Sequence, residues 1–534
     1  MATKSIDLGV MYDTGNRGIP SEVGGERTID PYFTINPDRV SREIRLCNLQ
    51  KYLDGSIYNN LRYAFSKDYE YSRYIPMAMR RPSVTYRMCQ IIVDNSVSLV
   101  FGESRFPKIS VADDKATEEI LLKLVKECHL DTCMLEAATK GSVGSAAILV
   151  KFDNYCACVQ VLNTHNLEPI FENNEMCALK SLRRKLQVKG EVLIAKGHTD
   201  IESDKDYLLI QEWTKEQEIH YLPLRVDKIK NPKDVQLTKD NQRTITHGLG
   251  FVPIVWIKNI NCNSDSIDGA CTFEAAIGSQ IEIDYQLSQA GRALKYSGDP
   301  LLIIKHGTSF ISDIDASSSG MPVTMEDYNA EQAQIVRSAG NALELDAEGE
   351  AKLLEISGDA AKAVLEYVKE IRKYALESVH GNRADPDKLH IGQSGKALEI
   401  LNQPLIWLAE KLRYTYGNIG LINVLKMIIK GSKKYPIVID NERLNLKEDL
   451  RISLVWEDFY NETTQEKQQK ANTLKTYKDA GLISTITATR AIANEFSIES
   501  VEDEMKQIET EKQQQLAQQA SAGSQEKFIQ TENI

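Results

Sequence analysis

The stretch Val364–Arg413 reads VLEYVKEIRKYALES (Val364–Ser378), then VHGNRADPDKLHIGQ (Val379–Gln393), then SGKALEILNQPLIWLAEKLR (Ser394–Arg413). The outer parts repeat apolar residues at helical spacing and the middle part is polar. A polar loop of this length between two long helices needs a role, because loops beyond about a dozen residues are uncommon and usually functional. The first helix extends back to Asp359, and its seam of Val364, Val368, Ile371 and Ala375 is narrow. Glu366, Lys369, Glu370, Arg372, Lys373 and Glu377 spread around the rest. That pattern predicts a helix touching neighbours lightly on several sides, as in a ring of identical helices. In the following helix Pro404 lacks an amide donor and crowds the preceding turn, so a kink is expected there.

Upstream, Thr272–Tyr296 carries Phe273, Ile277, Ile281, Leu287 and Leu294 roughly on one stripe, with Glu274, Glu282, Asp284, Gln289 and Arg292 polar. Gly298-Asp299-Pro300 ends it, since Gly supplies a left-handed cap and Pro forbids continuation. An insert over 298–358 follows, opening with the strand-like LLIIK (Leu301–Lys305), and its SSSGMPVTMEDY is loop. Two helices that leave a body and return, with a small domain between them, make a stalk. The body comes before them. Ser41–Ser66, Arg80–Glu103, Lys115–Cys128 and Cys133–Gly141 read as helical, with Gly102 as a stop. The period then changes to two at Ala146–Phe152, Cys156–Leu162, Ser181–Gln187, Glu191–Ala195, Asp206–Trp213 and Glu218–Leu222, closing with GFVPIVWIKN (Gly250–Asn259). The fold class is therefore α+β. Residues 1–40 read as an extended arm, Asp68–Pro76 is a Tyr-rich polar stretch (DYEYSRYIP), and residues 509–534, with few apolar anchors, are expected to be a disordered tail.

Composition narrows the function. With 534 residues, 42% of them hydrophobic, the chain can bury a sizeable core in two to four domains. Neither a signal peptide nor a long apolar run appears, so synthesis in a cytoplasm and no membrane insertion are expected. Nine scattered cysteines suit reduced thiols. Cys128 and Cys133 around His129, and Cys156 and Cys158 before His165, lack metal-site spacing, so no metal is expected. HIGQSGKA (His390–Ala397) approaches a phosphate-binding loop, but His390 replaces its first glycine and Ala397 its magnesium-holding hydroxyl. The simpler reading is that Ser394 and Gly395 open a helix. No nucleophile, zincin or dinucleotide motif is present, so no catalytic residue and no cofactor are assigned. A net charge of −12 argues against gripping nucleic acid over a wide surface. It leaves room for a conduit that attracts a polyanion weakly.

Five segments in order carry a family resemblance: VDNSVSLVFGE (Val93–Glu103), SVGSAAILVKFD (Ser142–Asp153), HGLGFVPIVWIKN (His247–Asn259), SGKALEIL (Ser394–Leu401) and AGLISTITATRAI (Ala480–Ile492). Over Asn60–Lys506 the chain resembles the portal proteins of tailed bacteriophages. The resemblance implies a homo-oligomeric ring, typically of twelve subunits, at one capsid vertex. Double-stranded DNA would be packaged through it by the terminase large subunit and later ejected, and the ring would join head to tail. It implies an arm at 1–40, a wing at 41–271 and 395–458, stem helices at 272–297 and 359–378, a clip at 298–358, a tunnel loop at 379–394 and a crown at 459–508. The loop residues Asn382, Arg383, Asp385, Asp387, Lys388 and His390 would face DNA, and Glu366, Lys369, Glu370, Lys373 and Glu377 are candidates for the stem lining. Pro404 would turn the helix from channel wall to wing. The implied partners are other copies of the chain, DNA, the terminase, a head-tail adaptor, and the major capsid and scaffold proteins. A non-channel minor capsid or adaptor component is the alternative.

Overall fold

The computed structural model describes residues 42–102, 105–111, 114–153, 155–172, 178–229, 236–260, 266–298, 301–305, 350–354, 359–380, 399–400, 402–440, 442–447, 449–460, 464–493, 501 and 503–514. The chain divides into two compact units, Met1–Arg383 with Pro404–Glu457, and Ala384–Gln403 with Asp458–Ile534.

In the larger unit four helices come first: α1 (Arg42–Asp54), α2 (Met88–Phe101), α3 (Lys115–Glu127) and α4 (Leu130–Gly141). Gly102 caps α2, as its position predicted. The Asp114 carboxylate accepts the Thr117 amide and so caps α3. The expected helix from Arg80 is a correction. Arg80–Arg81 instead forms strand β4, pairing in parallel with β1 (Tyr63–Ala64), and Arg87 turns left-handed at φ 53° before α2 begins. Val84 and Tyr86 give their amides to side chains of a distant helix, described below, so no local helix forms ahead of α2.

Between β1 and β4 stands a small hairpin, β2 (Tyr69–Glu70) against β3 (Arg73–Tyr74). Its two turn residues, Tyr71 and Ser72, both lie in the left-handed region, at φ 47° and 62°. A turn of this kind favours Asn-Gly, and a side chain there costs roughly 1–2 kcal/mol per residue.

Two antiparallel sheets hold the main β core. One has β6 (Ser145–Asp153) between β7 (Cys156–Leu162) and β14 (Ile254–Lys258). The other runs in the order β13 (Ile245–Thr246), β11 (Gln217–His220), β10 (Asp206–Trp213), β9 (Leu179–Lys189) and β8 (Leu167–Phe171), with β12 (Leu224–Arg225) also on β10. Ala147 and Leu149 of β6 join Leu162, Leu167, Leu182, Val252 and Ile254 around the buried Trp213. The alternate residues Ala146, Ile148 and Val150 are equally buried, because α4 and the returning helix cover that face. A second correction falls at Glu191–Ala195, expected as a strand. Gly190–Ala195 is a short helix, α5, of which only Gly190 and Leu193 are buried, while Val192 and Ile194 face solvent. The β-branched run that suggested a strand has no second side to bury.

Two long helices follow, α6 (Ile277–Gly298) and α7 (Asp359–Ser378), and they pack along one another. Where the chain leaves α6 and where it approaches α7, β15 (Leu301–Lys305) and β16 (Glu350–Leu354) pair antiparallel, with Leu301 opposite Leu354 and Lys305 opposite Glu350. The return helix begins as α8 (Gln403–Leu412), passes through a π-helical stretch at Arg413–Leu421, and ends as α9 (Ile422–Ser432). Pro404 stands in the first turn of α8 after a turn at Asn402, so its missing amide removes no bond within that helix. An irregularity follows in the π stretch, whose wider turns let Gly417 approach Trp456 and Gly420 approach Ile257. A Cβ at these glycines would come within 2.4 and 2.7 Å. Beyond a hairpin of β17 (Val438–Ile439) and β18 (Glu442–Arg443), β19 (Ile452–Val455) pairs with β5 (Lys108–Val111). The end of this unit is thereby stitched to its beginning.

The smaller unit contains α10 (Thr464–Asp479) and α11 (Thr485–Ile492), which pack together. Residues 503–514 are helical, and the Thr489 hydroxyl contacts Met505 Sδ at 3.6 Å.

Candidate functional site

The candidate site is the pair α6 and α7, and it is built from the body outward. Asn259, fully buried at the end of β14, holds the start of the first long helix in place. Its Nδ2 donates to the Ala270 carbonyl (2.8 Å) and to Thr272 Oγ1 (2.9 Å), and its Oδ1 accepts the Tyr416 hydroxyl of the π stretch at 3.0 Å. The α1 arginines clamp the same approach. Arg42 makes a two-point contact with Asp268 (2.6 and 2.8 Å), and Arg45 reaches Glu274 at 2.6 Å.

Helix α6 is then fastened along its length by a row of polar side chains four residues apart. Gln280 Oε1 accepts the Cys89 amide at 2.9 Å. Asp284 Oδ1 accepts the Tyr86 amide at 2.6 Å, and its Oδ2 accepts the Tyr58 hydroxyl at 2.9 Å. Ser288 Oγ accepts the Val84 amide at 3.1 Å. All three side chains are at most 1% exposed. Burial pushes the Asp284 carboxyl up to about 6, against the two donors that favour its charge. Further along, Arg292 binds both oxygens of Asp68, and these bonds hold that carboxyl down to about 2. Buried Arg80 binds Asp68 as well and donates to the Ile75 carbonyl. Phe273, Ile277 and Ile281 of the expected apolar stripe are buried, Leu287 is half-buried and Leu294 faces solvent.

Helix α7 is different in kind. Ala361, Val368, Ala375 and Leu376 are buried, and Val364 and Ile371 are half-buried. That is the narrow seam the periodicity predicts. Glu366, Lys369, Glu370 and Lys373 are exposed and Glu377 is half-buried. Arg372 lies over the Tyr86 ring, 6.0 Å from its centroid. Leu365, Tyr367 and Tyr374 are also exposed, at 45%, 50% and 61%. The six loop positions Asn382, Arg383, Asp385, Asp387, Lys388 and His390 lie outside the described residues, as does HIGQSGKA.

The fastening residues were not singled out from the sequence. Their signal was present as a polar row at 280, 284 and 288, beside the apolar stripe and with the same helical period. What the arrangement offers chemically is support and surface. Among the described residues no three His, Cys, Asp or Glu side chains are placed to hold a metal ion, and no helix is long and apolar enough to cross a membrane. Burial pushes the Cys128 and Cys133 thiols up to about 12, which leaves them as core side chains.

Comparison with known proteins gives a family. The description "Phage portal protein, SPP1 Gp6-like" matches residues 35–518. Among solved structures, the neck of a native GTA particle computed with C12 symmetry is similar at 11% identity, covering 76% of this chain and 88% of that one, with a TM-score of 0.35. The virion of a native gene transfer agent particle is similar at 10% identity, covering 76% and 89%, with a TM-score of 0.34. No curated protein matches the chain.

Proposed function

Because the chain belongs to the SPP1 Gp6-like family of phage portal proteins, we propose that copies of it form a ring whose axis is the DNA channel at one capsid vertex. The terminase motor packages the genome through this channel, the genome later leaves by it, and the ring joins head to tail. Twelve copies are expected. The wing, stem, clip and crown follow the boundaries given by the resemblance, with α6 and α7 as the stem.

The observation that carries this reading is α7: a helix with a thin apolar seam and a charged outer surface, running beside a helix that is firmly held. Lys362, Lys369, Arg372 and Lys373 offset Asp359, Glu366, Glu370 and Glu377. Near balance suits a wall that DNA slides past, because each phosphate neutralised by a cation strengthens binding and raises friction. The loop 379–394 is assigned to the tunnel, with Asn382, Arg383, Asp385, Asp387, Lys388 and His390 toward DNA. Arg383 and Lys388 there stand against Asp385 and Asp387.

Deleting Asn382–Asp387 tests the assignment. Rings counted by negative-stain electron microscopy should persist, while nuclease-protected DNA per particle drops, as expected when transport rather than folding is damaged. Loss of rings in the deletion would make the loop structural. For the intact protein, class averages without an axial hole, or a monomer at high concentration, would favour the non-channel component instead.

A further inference from the structure

We propose that the hairpin Tyr69–Tyr74 is a docking knob for another polypeptide of the particle, one that presents carboxylates around a shallow apolar pocket. The inference goes beyond the channel and draws on the proposed function only in that the chain is built into a particle. The hairpin is exposed at its aromatic tip, with Tyr71 98%, Tyr69 63% and Tyr74 56% exposed, and Met77 lies close by in sequence at 38%. Tyrosine and arginine at one projecting hairpin is the composition of an interface anchor.

The charge is as distinctive as the shape. Within an acidic chain, Arg62–Arg87 carries Arg62, Lys67, Arg73, Arg80, Arg81 and Arg87 against only Asp68 and Glu70. Both acids are engaged internally, Asp68 by Arg80 and Arg292, and Glu70 by Lys67 and the Tyr63 hydroxyl. Arg73, Arg81 and Arg87 are exposed. The surface left for a partner is therefore cationic.

The knob is held rigid, which favours docking. Arg292 ties Asp68 to α6, Arg80 secures the Ile75 carbonyl, and the pairing of β1 with β4 closes the base. Keeping tyrosine and serine at two left-handed positions, where Asn-Gly would relax the turn, is strain retained at an exposed tip and points to use of the side chain. DNA fits the site less well. The Tyr69 and Tyr74 rings stand 70° apart at 5.8 Å, and the Arg80 guanidinium sits 5.1 Å over Tyr74. They offer no parallel faces on which successive bases could stack.

The test replaces Tyr71 with p-benzoylphenylalanine in cells producing particles and identifies the photo-adduct by mass spectrometry. The expected adduct lies on a different polypeptide of the particle, on a peptide rich in Asp and Glu. Tyr71→Asn with Ser72→Gly should keep or raise the thermal midpoint and keep the ring, yet enter particles about tenfold less. Arg73→Glu with Arg81→Glu should do the same at an unchanged thermal midpoint. Adducts on DNA, on a second copy of this chain or on a peptide without carboxylates overturn the proposal, as does normal incorporation of both variants. Failure of the unmodified protein to form rings would instead count against the proposed channel.

Discussion

The two long helices run side by side but hold their places by different means. α6 spends a full row of buried side chains, Gln280, Asp284 and Ser288, on the backbone amides of Cys89, Tyr86 and Val84. α7 uses a thin apolar seam and leaves Lys362, Glu366, Lys369, Glu370, Arg372 and Lys373 exposed. Directional bonds buried away from water fix a position, because a misplaced partner leaves a donor unsatisfied. A thin seam with screened charges allows exchange of residues at little cost. Within the proposed channel, α6 thus belongs to the scaffold and α7 to the variable wall.

The largest effect should come from breaking the fastening at Asp284. Its carboxylate carries a burial cost of its own, so Asp284→Asn, which keeps the volume and an acceptor, is the proper reference. Relative to it, Asp284→Ala strands the Tyr86 amide and the Tyr58 hydroxyl. At about 1–3 kcal/mol per buried orphan, the loss is roughly 2–6 kcal/mol. Urea unfolding of the two variants checks this, and equal midpoints would mean that the row does not hold the helix.

Next in size is a pH dependence. A carboxyl raised to about 6 in the folded protein binds its proton more tightly folded than unfolded. Its stabilising contribution is therefore full below the unfolded value near 3.8 and is lost as pH rises through 6. The difference corresponds to about 3 kcal/mol. Wild type should lose stability relative to Asp284→Asn between pH 4 and pH 7. Parallel stability curves for the two proteins would refute this. Asp68, held down to about 2, works in the opposite direction and in a lower window, losing its contribution as pH falls from about 4 toward 2. Taking the difference between the two proteins removes it.

How far each helix was legible in the sequence follows from the same contrast. α7 was read with its observed ends, Asp359 and Ser378, because its seam is local and periodic. Strands Cys156–Leu162 and Asp206–Trp213 were likewise read in full from alternation. The start of α2 was misplaced at Arg80, since the amides of Val84 and Tyr86 are satisfied by residues 204 and 198 positions away. No local pattern encodes such a partner. The π stretch at Arg413–Leu421 was invisible for a related reason: its glycines are explained by Trp456 and Ile257, which only the fold brings near. Asn259 looked like the end of a strand and turned out to tie the approach to α6 to the return helix.

The smallest effect on stability, and the sharpest probe of the comparison, should come from α7. Glu366→Lys and Glu370→Lys change exposed side chains, and exposed ion pairs contribute under about 1 kcal/mol. Each variant should unfold within about 0.5 kcal/mol of wild type and form the same rings. In a ring, however, each reversal becomes a collar of positive charge. If that collar faces the axis, every phosphate it neutralises adds about 0.9 to the steepness with which DNA retention falls with salt. Retention of DNA in emptied and refilled particles, measured from low to high salt, separates wall positions from outer ones. A position whose reversal leaves both stability and salt slope unchanged does not line the channel. If every exposed charge of α7 behaved so, the wall would have to be sought on another element.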